Sequence, residues 1–226
     1  MKIDALCTGA RQHRRRTGRP LVTISYAQSI DGSIAAHRGA RLSLSGRESL
    51  RLCHRLRAAH DAVLVGIGTI LSDDPRLNVR MIKGSDPQPI ILDRRLRTPR
   101  KARALRNKKP PWFIASPRCN TTRRRMLERK GARVIPMRSD RRGQIDLASL
   151  LDFIGQENIS SLMVEGGARV ITSFLRSGLV DQFVLTITPF FVGGLHAVEK
   201  PPYPRNEKCV RMRGAAWYGK GLVVWG

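Results

Sequence analysis

Acidic residues are scarce in this sequence: 17 Asp and Glu stand against 42 Lys and Arg, a net charge of +25. Such an imbalance draws polyanions, whether nucleic acid, acidic membrane or small phosphorylated ligands, but says nothing of the fold. Aromatic residues make up only 5% of the chain, too few for a platform on which unpaired bases stack. The four cysteines, Cys7, Cys53, Cys119 and Cys209, are scattered and form no C-x-x-C pair. That argues against zinc and disulfide frameworks and suits a reducing cytoplasm. No stretch approaches the roughly 20 apolar residues of a membrane-spanning helix. The segment Met1 to Arg19 carries His13-Arg14-Arg15-Arg16 without an apolar core, so a secretory signal is not expected. It reads as a basic tail over residues 1–18. What remains, 19–226, suits one domain with a single sizeable core.

What is present is an alternation of short β-branched runs with amphipathic stretches. Leu21 to Ser25 predicts a strand, and Glu48 to Ala59 a helix, because Leu52, Leu56 and Ala59 recur three or four apart. Ala62-Val63-Leu64-Val65-Gly66 reads as a strand buried on both faces. Strands follow at Ile90 to Asp93, Trp112 to Ala115, Arg133 to Ile135 and Ser161 to Val164. Helices are expected over Thr121 to Lys130, stopped by Gly131; over Leu147 to Asn158, capped by Asp146; and over Ala168 to Arg176, closed by Gly178. Asp181 to Pro189 reads as a longer strand, and Lys208 to Trp225 as two antiparallel strands joined near Gly219. The pattern predicts an α/β fold with a mostly parallel central sheet and antiparallel C-terminal edge strands.

Three segments carry chemistry. Gly66-Ile67-Gly68-Thr69 begins like a dinucleotide fingerprint, but Leu71 stands where the last glycine belongs. Val164-Glu165-Gly166-Gly167-Ala168 fits a phosphate better: a strand ends, two glycines allow close approach, and a helix start offers its amides. A plain strand-to-helix turn explains the same glycines. Glu165 at the end of that strand is placed for a ligand, or simply to cap the helix. In Asp73-Asp74-Pro75 the acids make either a capped turn or part of a site; too few partners accompany them for a metal. Arg57 and Arg80 are candidates to grip a phosphate through their guanidinium forks. Asp31 before Gly32 reads as a turn residue, and His54 as a helix-surface histidine.

Taken together, several blocks resemble one family. They are Ser29-Ile30-Asp31-Gly32-Ser33-Ile34-Ala35, Leu56-Arg57-Ala58, and the long run from Asp61 through Thr69, Asp73-Asp74-Pro75-Arg76-Leu77-Asn78-Val79 and Arg80. Pro89 to Asp93, Val164 to Gly167, Gly178 to Asp181 and Phe191 to Gly194 follow in the same order. These resemble the riboflavin-pathway pyrimidine reductases, both the reductase domain of bacterial RibD and the stand-alone archaeal enzymes. The resemblance covers roughly Arg19 to the C-terminus. It implies a dihydrofolate-reductase-like three-layer fold, NADPH as cofactor and a homodimer. Its implied reaction reduces the ribosylamino side chain of a pyrimidinone 5′-phosphate, either the diamino form or the deaminated 5-amino-uracil form, to ribitylamino.

Carried over by position, the family's substrate contacts fall on Arg41, Arg57, Leu77, Arg80 and Glu165. Its cofactor contacts fall on Gln28, Ser43, Thr69, Asp73, Arg94, Gly166, Gly167, Ala168 and Arg169. Asp73 and Glu165 are the catalytic candidates, with an ordered water as the alternative source of a proton. A basic residue at Arg94 or Arg95 would favour NADPH over NADH. Two departures stand out: Gln28 where a small residue is common, and Ser-Leu-Ser-Gly over residues 43–46 where many bacterial members have Trp-Ile-Thr-Gly. The H-x-E and P-C-x-x-C zinc signature of the bacterial deaminase partner is missing, so a reductase without the deaminase is expected. The rivals are a reductase of the same fold acting on a pterin or another pyrimidine, and a basic nucleic-acid-binding protein built on a reductase scaffold.

Overall fold

The computed structural model of the chain describes residues 5–139, 143–198 and 210–226. Well inside its sheet runs β3 (Ala62–Gly66), in which every residue is buried. The side chains alternate as a strand requires: Ala62 and Leu64 enter one core, Val63 and Val65 another on the opposite face. A strand apolar on both faces needs cover on both, and this sets the three-layer architecture.

Around β3 lie β1 (Leu21–Ser29), β4 (Gln88–Leu92), β5 (Trp112–Ala115), β6 (Arg133–Pro136), β7 (Ser161–Gly166), β8 (Gln182–Thr188), β10 (Gly214–Tyr218) and β11 (Gly221–Trp225). The sheet order is β10-β11-β8-β1-β7-β3-β4-β5-β6. All pairs are parallel except β11 with β8 and β10 with β11, so the antiparallel edge falls at the C-terminal hairpin. Helices α5 (Leu147–Gln156) and α6 (Ala168–Arg176) cover one face through Leu150, Leu151, Ile154, Ile171 and Phe174. Helices α2 (Arg47–Ala59), α3 (Ile67–Asp73) and α4 (Thr121–Glu128) cover the other through Leu52, Leu56, Ile70 and Leu127.

The expected elements appear with shifted ends. Asp146 caps α5 by accepting from the Ala148 N–H and the Ser149 hydroxyl. Helix α4 stops at Glu128, ahead of Gly131 with its φ of 83°. The C-terminal hairpin occupies Gly214–Trp225, while Lys208 and Cys209 lie outside the described residues.

Three features were not foreseen. The stretch after β3, read only as an incomplete dinucleotide fingerprint, is the helix α3. A small two-stranded sheet pairs β2 (Ser33–Ala35) with β9 (Leu195–His196). Beyond Met1–Asp4, which lie outside the described residues, the segment read as a tail holds the helix α1 (Ala10–Thr17). Arg14 of α1 donates to the Gly155 carbonyl and the Asn158 side chain, tying the helix to the end of α5. The fit is tight: a Cβ on Gly155 would sit 1.9 Å from the Gly18 carbonyl oxygen. Arginines hid this helix, because only Ala10 of its eight residues is buried and no apolar stripe shows.

Asp31 ties the turn after β1 to the strap leading into β9. It accepts from Ser29 and Ser33 and from the N–H groups of Val192 and Gly193, at 2.5–3.1 Å. The two hydroxyls first, then the two amides, hold its carboxyl below the ordinary carboxylate range. The turn reading of Asp31 therefore stands.

Candidate active site

The carboxyl ends of β1, β3, β4 and β7 open on a cleft of about 1370 Å³, completed by α2, the start of α6 and the segments 34–45, 94–97 and 143–148. In an open α/β sheet this is where ligands bind. Glu165, the next-to-last residue of β7, lies in its wall. Arg57 of α2 approaches edge-on: its Nε donates to Oε1 at 2.6 Å and its Nη2 to Oε2 at 2.7 Å. The third guanidinium nitrogen, Nη1, donates to the Asn78 carbonyl at 3.1 Å. Both side chains are largely buried, 8% and 13% exposed, so each charge needs the other. Burial alone would lower the Arg57 pKa; Glu165 outweighs it and raises it. Cys53, one turn before Arg57, sits 3.8 Å from Glu165 Oε1. Burial and then that carboxylate push its thiol up to about 12, so it stays protonated as a weak donor to Glu165.

His54 was expected on a helix surface, but it is only 1% exposed. Its Nδ1 accepts from the Arg80 N–H at 3.3 Å, which fixes the path of the chain from Asn78 to Arg80. An accepting Nδ1 carries no proton, and burial with Arg57 and Arg80 nearby lowers the His54 pKa to about 4. Arg80 itself is exposed, reaching only the Asn78 side chain at 3.3 Å. Partial burial and then the fields of Arg57, Arg76 and Arg103 lower its pKa, which marks a concentrated positive region beside Glu165.

The other wall joins α3 to α6. Their starts touch so closely that a Cβ on Gly66 would fall 2.7 Å from Val170 Cγ2, and one on Gly167 would fall 3.4 Å from Thr69 Oγ1. No side chain caps α6 at Gly167, and its first turn lines the cleft with Gly167, Ala168 and Arg169. An uncapped helix start with a hydroxyl beside it suits a diphosphate, so these residues fit a dinucleotide. Farther along stand Arg94, Arg95 and Arg97. Arg94 is engaged, donating to the Gly143 carbonyl at 2.6 Å, while Arg95 is exposed.

Of the residues selected from sequence, Arg57, Thr69, Asp73, Arg94, Glu165, Gly167, Ala168 and Arg169 line this cleft. Gly166 forms the turn behind it, at a φ of 127°. Arg41, Ser43 and Arg80 are exposed beyond its wall, which is built nearby from Ala40, Leu42, Leu44 and Ser45. The side chain of Leu77 is fully buried in the core under α3 and α4. Gln28 lies outside the wall, its carbonyl accepting from Thr188, and the small neighbour Ala27 faces the cleft. Sequence reasoning missed Ala27, Cys53 and the buried state of His54. Period-two alternation along β1 and the apolar face of α2 were the available signals.

Comparison with known proteins agrees with this geometry. The sequence pattern of the RibD C-terminal domain family matches residues 20–223. A Candida glabrata protein named 2,5-diamino-6-ribosylamino-4(3H)-pyrimidinone 5′-phosphate reductase is 34% identical over 221 residues, covering 90% of this chain and 86% of its own. The solved riboflavin biosynthesis reductase of Saccharomyces cerevisiae superposes with a TM-score of 0.71 at 28% identity, covering 100% of this chain and 98% of its own. RibD of Acinetobacter baumannii superposes at 0.83 with 24% identity over 98% of this chain, which shows the shared fold. This chain spans 61% of that RibD's length. The fold is the dihydrofolate-reductase-like one that the sequence led us to expect. With residues 20–223 matched and close identity along nine-tenths of its length, the chain belongs to the RibD C-terminal domain family.

Proposed function

We propose that this chain is an NADPH-dependent reductase that converts 2,5-diamino-6-ribosylamino-4(3H)-pyrimidinone 5′-phosphate to its ribitylamino product. One observation supports this reading above the rest. Glu165, clamped by Arg57, stands in one cleft between a positive cluster and the open start of α6. A phosphorylated polar substrate on one side and a dinucleotide on the other satisfy both ends of that cleft.

When bound, the nicotinamide supplies a hydride to the electrophilic C1′ of the opened ribosylamino group. The chain's own part is to bind, orient and protonate. Gly167, Ala168 and Arg169 at the start of α6, with Thr69, would hold the diphosphate. Arg94 fixes the 143–148 segment and Arg97 lies 3.9 Å from Asp93, so Arg95, with Arg97 beside it, is placed to read a 2′-phosphate. Ala27, and not the larger Gln28, lines the cleft, which leaves room for the nicotinamide. Both oxygens of Glu165 are held by Arg57, so Glu165 serves as a fixed acceptor for substrate hydroxyl or amino groups. Asp73, at the end of α3 in the cleft wall, is left as the side chain to deliver the proton. Arg57 is spent on Glu165 and Asn78, and the substrate 5′-phosphate therefore falls to Arg80, with the exposed Arg41 as the second candidate. Leu77 lies in the core and not in the cleft wall, so no substrate contact is assigned to it.

We take the assembly to be a homodimer, supported by Ile30, Phe190 and Phe191 exposed together where the Ile30 N–H meets the Phe190 carbonyl. Light scattering of the purified protein tests this. The free cysteines Cys7, Cys53 and Cys119 support a cytoplasmic, reducing setting, and no helix among the described residues is long and apolar enough to cross a membrane. The decisive assay follows loss of NADPH absorbance with the diaminopyrimidinone phosphate, its deaminated form and dihydrofolate in parallel. Turnover of the first is expected. Exclusive turnover of dihydrofolate would replace this reading with the pterin one.

A further inference from the structure

The positive charge of this molecule is not spread evenly. Between residues 94 and 130 there are fifteen Lys and Arg and one acid, Glu128, so that stretch carries fourteen of the net +25. The acid is already taken, accepting from Arg124 at 2.8 Å. In the fold these residues form one surface, since the 94–109 segment and α4 both lie over the same face of β3, β4 and β5. Leu96, Ala102 and Ala104 from the first, and Leu127 from the second, share the core beneath. Arg123 ties the two together by donating to the Leu96 carbonyl at 3.0 Å. Between them runs a groove of about 390 Å³, lined by Arg97, Pro99, Arg100, Thr122, Arg123 and Met126. The exposed cations therefore stand on one packed backbone platform.

Its chemistry selects the partner. None of the large hydrophobic side chains exposed on the described residues lies between 94 and 130, so nothing there inserts into a lipid bilayer. No aromatic ring is offered to an unstacked base: Phe113 is buried, and Trp112 is half-buried under the Arg133 guanidinium, 5.2 Å from its ring centre. Long guanidinium and ammonium groups over a shallow groove match regularly spaced phosphates instead. A single phosphorylated metabolite needs only the few cations at the cleft mouth, whereas this array continues along α4 to Arg129 and Lys130. We propose that the face formed by residues 94–109 and α4 binds the phosphate backbone of double-stranded nucleic acid without sequence preference. The groove borders the cleft through Arg97, which lines both, and the proposal does not depend on the reading of the cleft's substrate.

The test is fluorescence anisotropy of the full chain with labelled duplex DNA and duplex RNA of mixed sequence, titrated across salt. Four phosphate contacts predict a slope of log K on log salt near −3.6 and a loss of roughly 100-fold from about 50 to 200 mM salt. One variant reverses Arg100, Arg106, Arg125 and Arg129 to Glu. A control of equal charge reverses Arg11, Arg15, Arg16 and Arg55, which are exposed elsewhere. We expect the first to weaken duplex binding at least about 30-fold and the control less than about 3-fold, with unchanged circular dichroism in both. Equal losses in the two variants would make binding a property of net charge and overturn the proposal. So would absence of duplex binding, binding of anionic vesicles in preference to duplex, or an effect of the first variant on kcat/KM alone.

Discussion

At the residue scale the site turns on a buried ion pair between residues 108 positions apart in sequence. Removing one partner of such a pair leaves the other charge buried and costs about 3–5 kcal/mol. Arg57→Ala is therefore expected to lower stability to urea by that amount. Arg57→Lys, which keeps the charge but not the fork, should recover only part of it. Glu165→Gln keeps the shape but leaves the Arg57 charge without its counter-ion, so urea stability should also fall. The loss of charge-assisted bonds to substrate, about 1.5–3 kcal/mol, should lower kcat/KM roughly 10- to 150-fold. Unchanged kinetics in Glu165→Gln would remove Glu165 from the site. Arg80→Ala should raise KM for the phosphorylated substrate and spare its dephosphorylated analogue. His54 gives a pH dependence whose sign is fixed. Its pKa is depressed to about 4 in the fold, so its contribution is complete above the unfolded value of about 6.5 and is lost as pH falls toward 4. Urea midpoints should drop across that window, and the drop should shrink in His54→Asn, whose side-chain oxygen still accepts from the Arg80 N–H.

At the element scale, strand alternation and helix spacing were legible because burial on one or both faces writes a period into the sequence. This is why β3, α2, α5 and the C-terminal hairpin could be placed, and why Asp146 was recognisable as a cap. Helix α3 was not, since Gly66-Ile67-Gly68-Thr69 read only as an incomplete dinucleotide fingerprint. The physical cause of Gly66 is its close packing on Val170, which no local pattern reveals. The site was legible by position but not by role: matching blocks located Arg57 and Leu77, yet only packing shows that one holds a carboxylate and the other fills a core. Gly66→Ala should push α6 away from α3. We expect a KM for NADPH raised about 10-fold or more, measured beside thermal stability, because misplacing a binding element costs affinity even where the fold survives. Farther along the same wall, Arg95→Ser with Arg97→Ser should raise the KM for NADPH by roughly 10- to 150-fold and leave that for NADH unchanged, as expected when charged bonds to one phosphate are lost.

At the scale of the whole molecule, excess positive charge and anionic ligands make association sensitive to ionic strength. For a reductase of this kind kcat/KM should fall as salt rises while kcat holds, and a flat profile would show that the cleft's cations do not steer its ligands. The first eighteen residues belong to this scale too. Arg14 and the Gly18–Gly155 approach make α1 a clasp across the sequence, joining the beginning of the chain to the end of α5, roughly 140 residues later. A clasp of that kind governs how the molecule opens, not what it binds. Removing residues 1–18 should leave turnover nearly intact, while the amides of Asn158 and Ile159, bonded to the last turn of α5, exchange with deuterium much sooner. The boundary of the domain would then be a matter of breathing, drawn where protection ends and not where similarity to relatives begins.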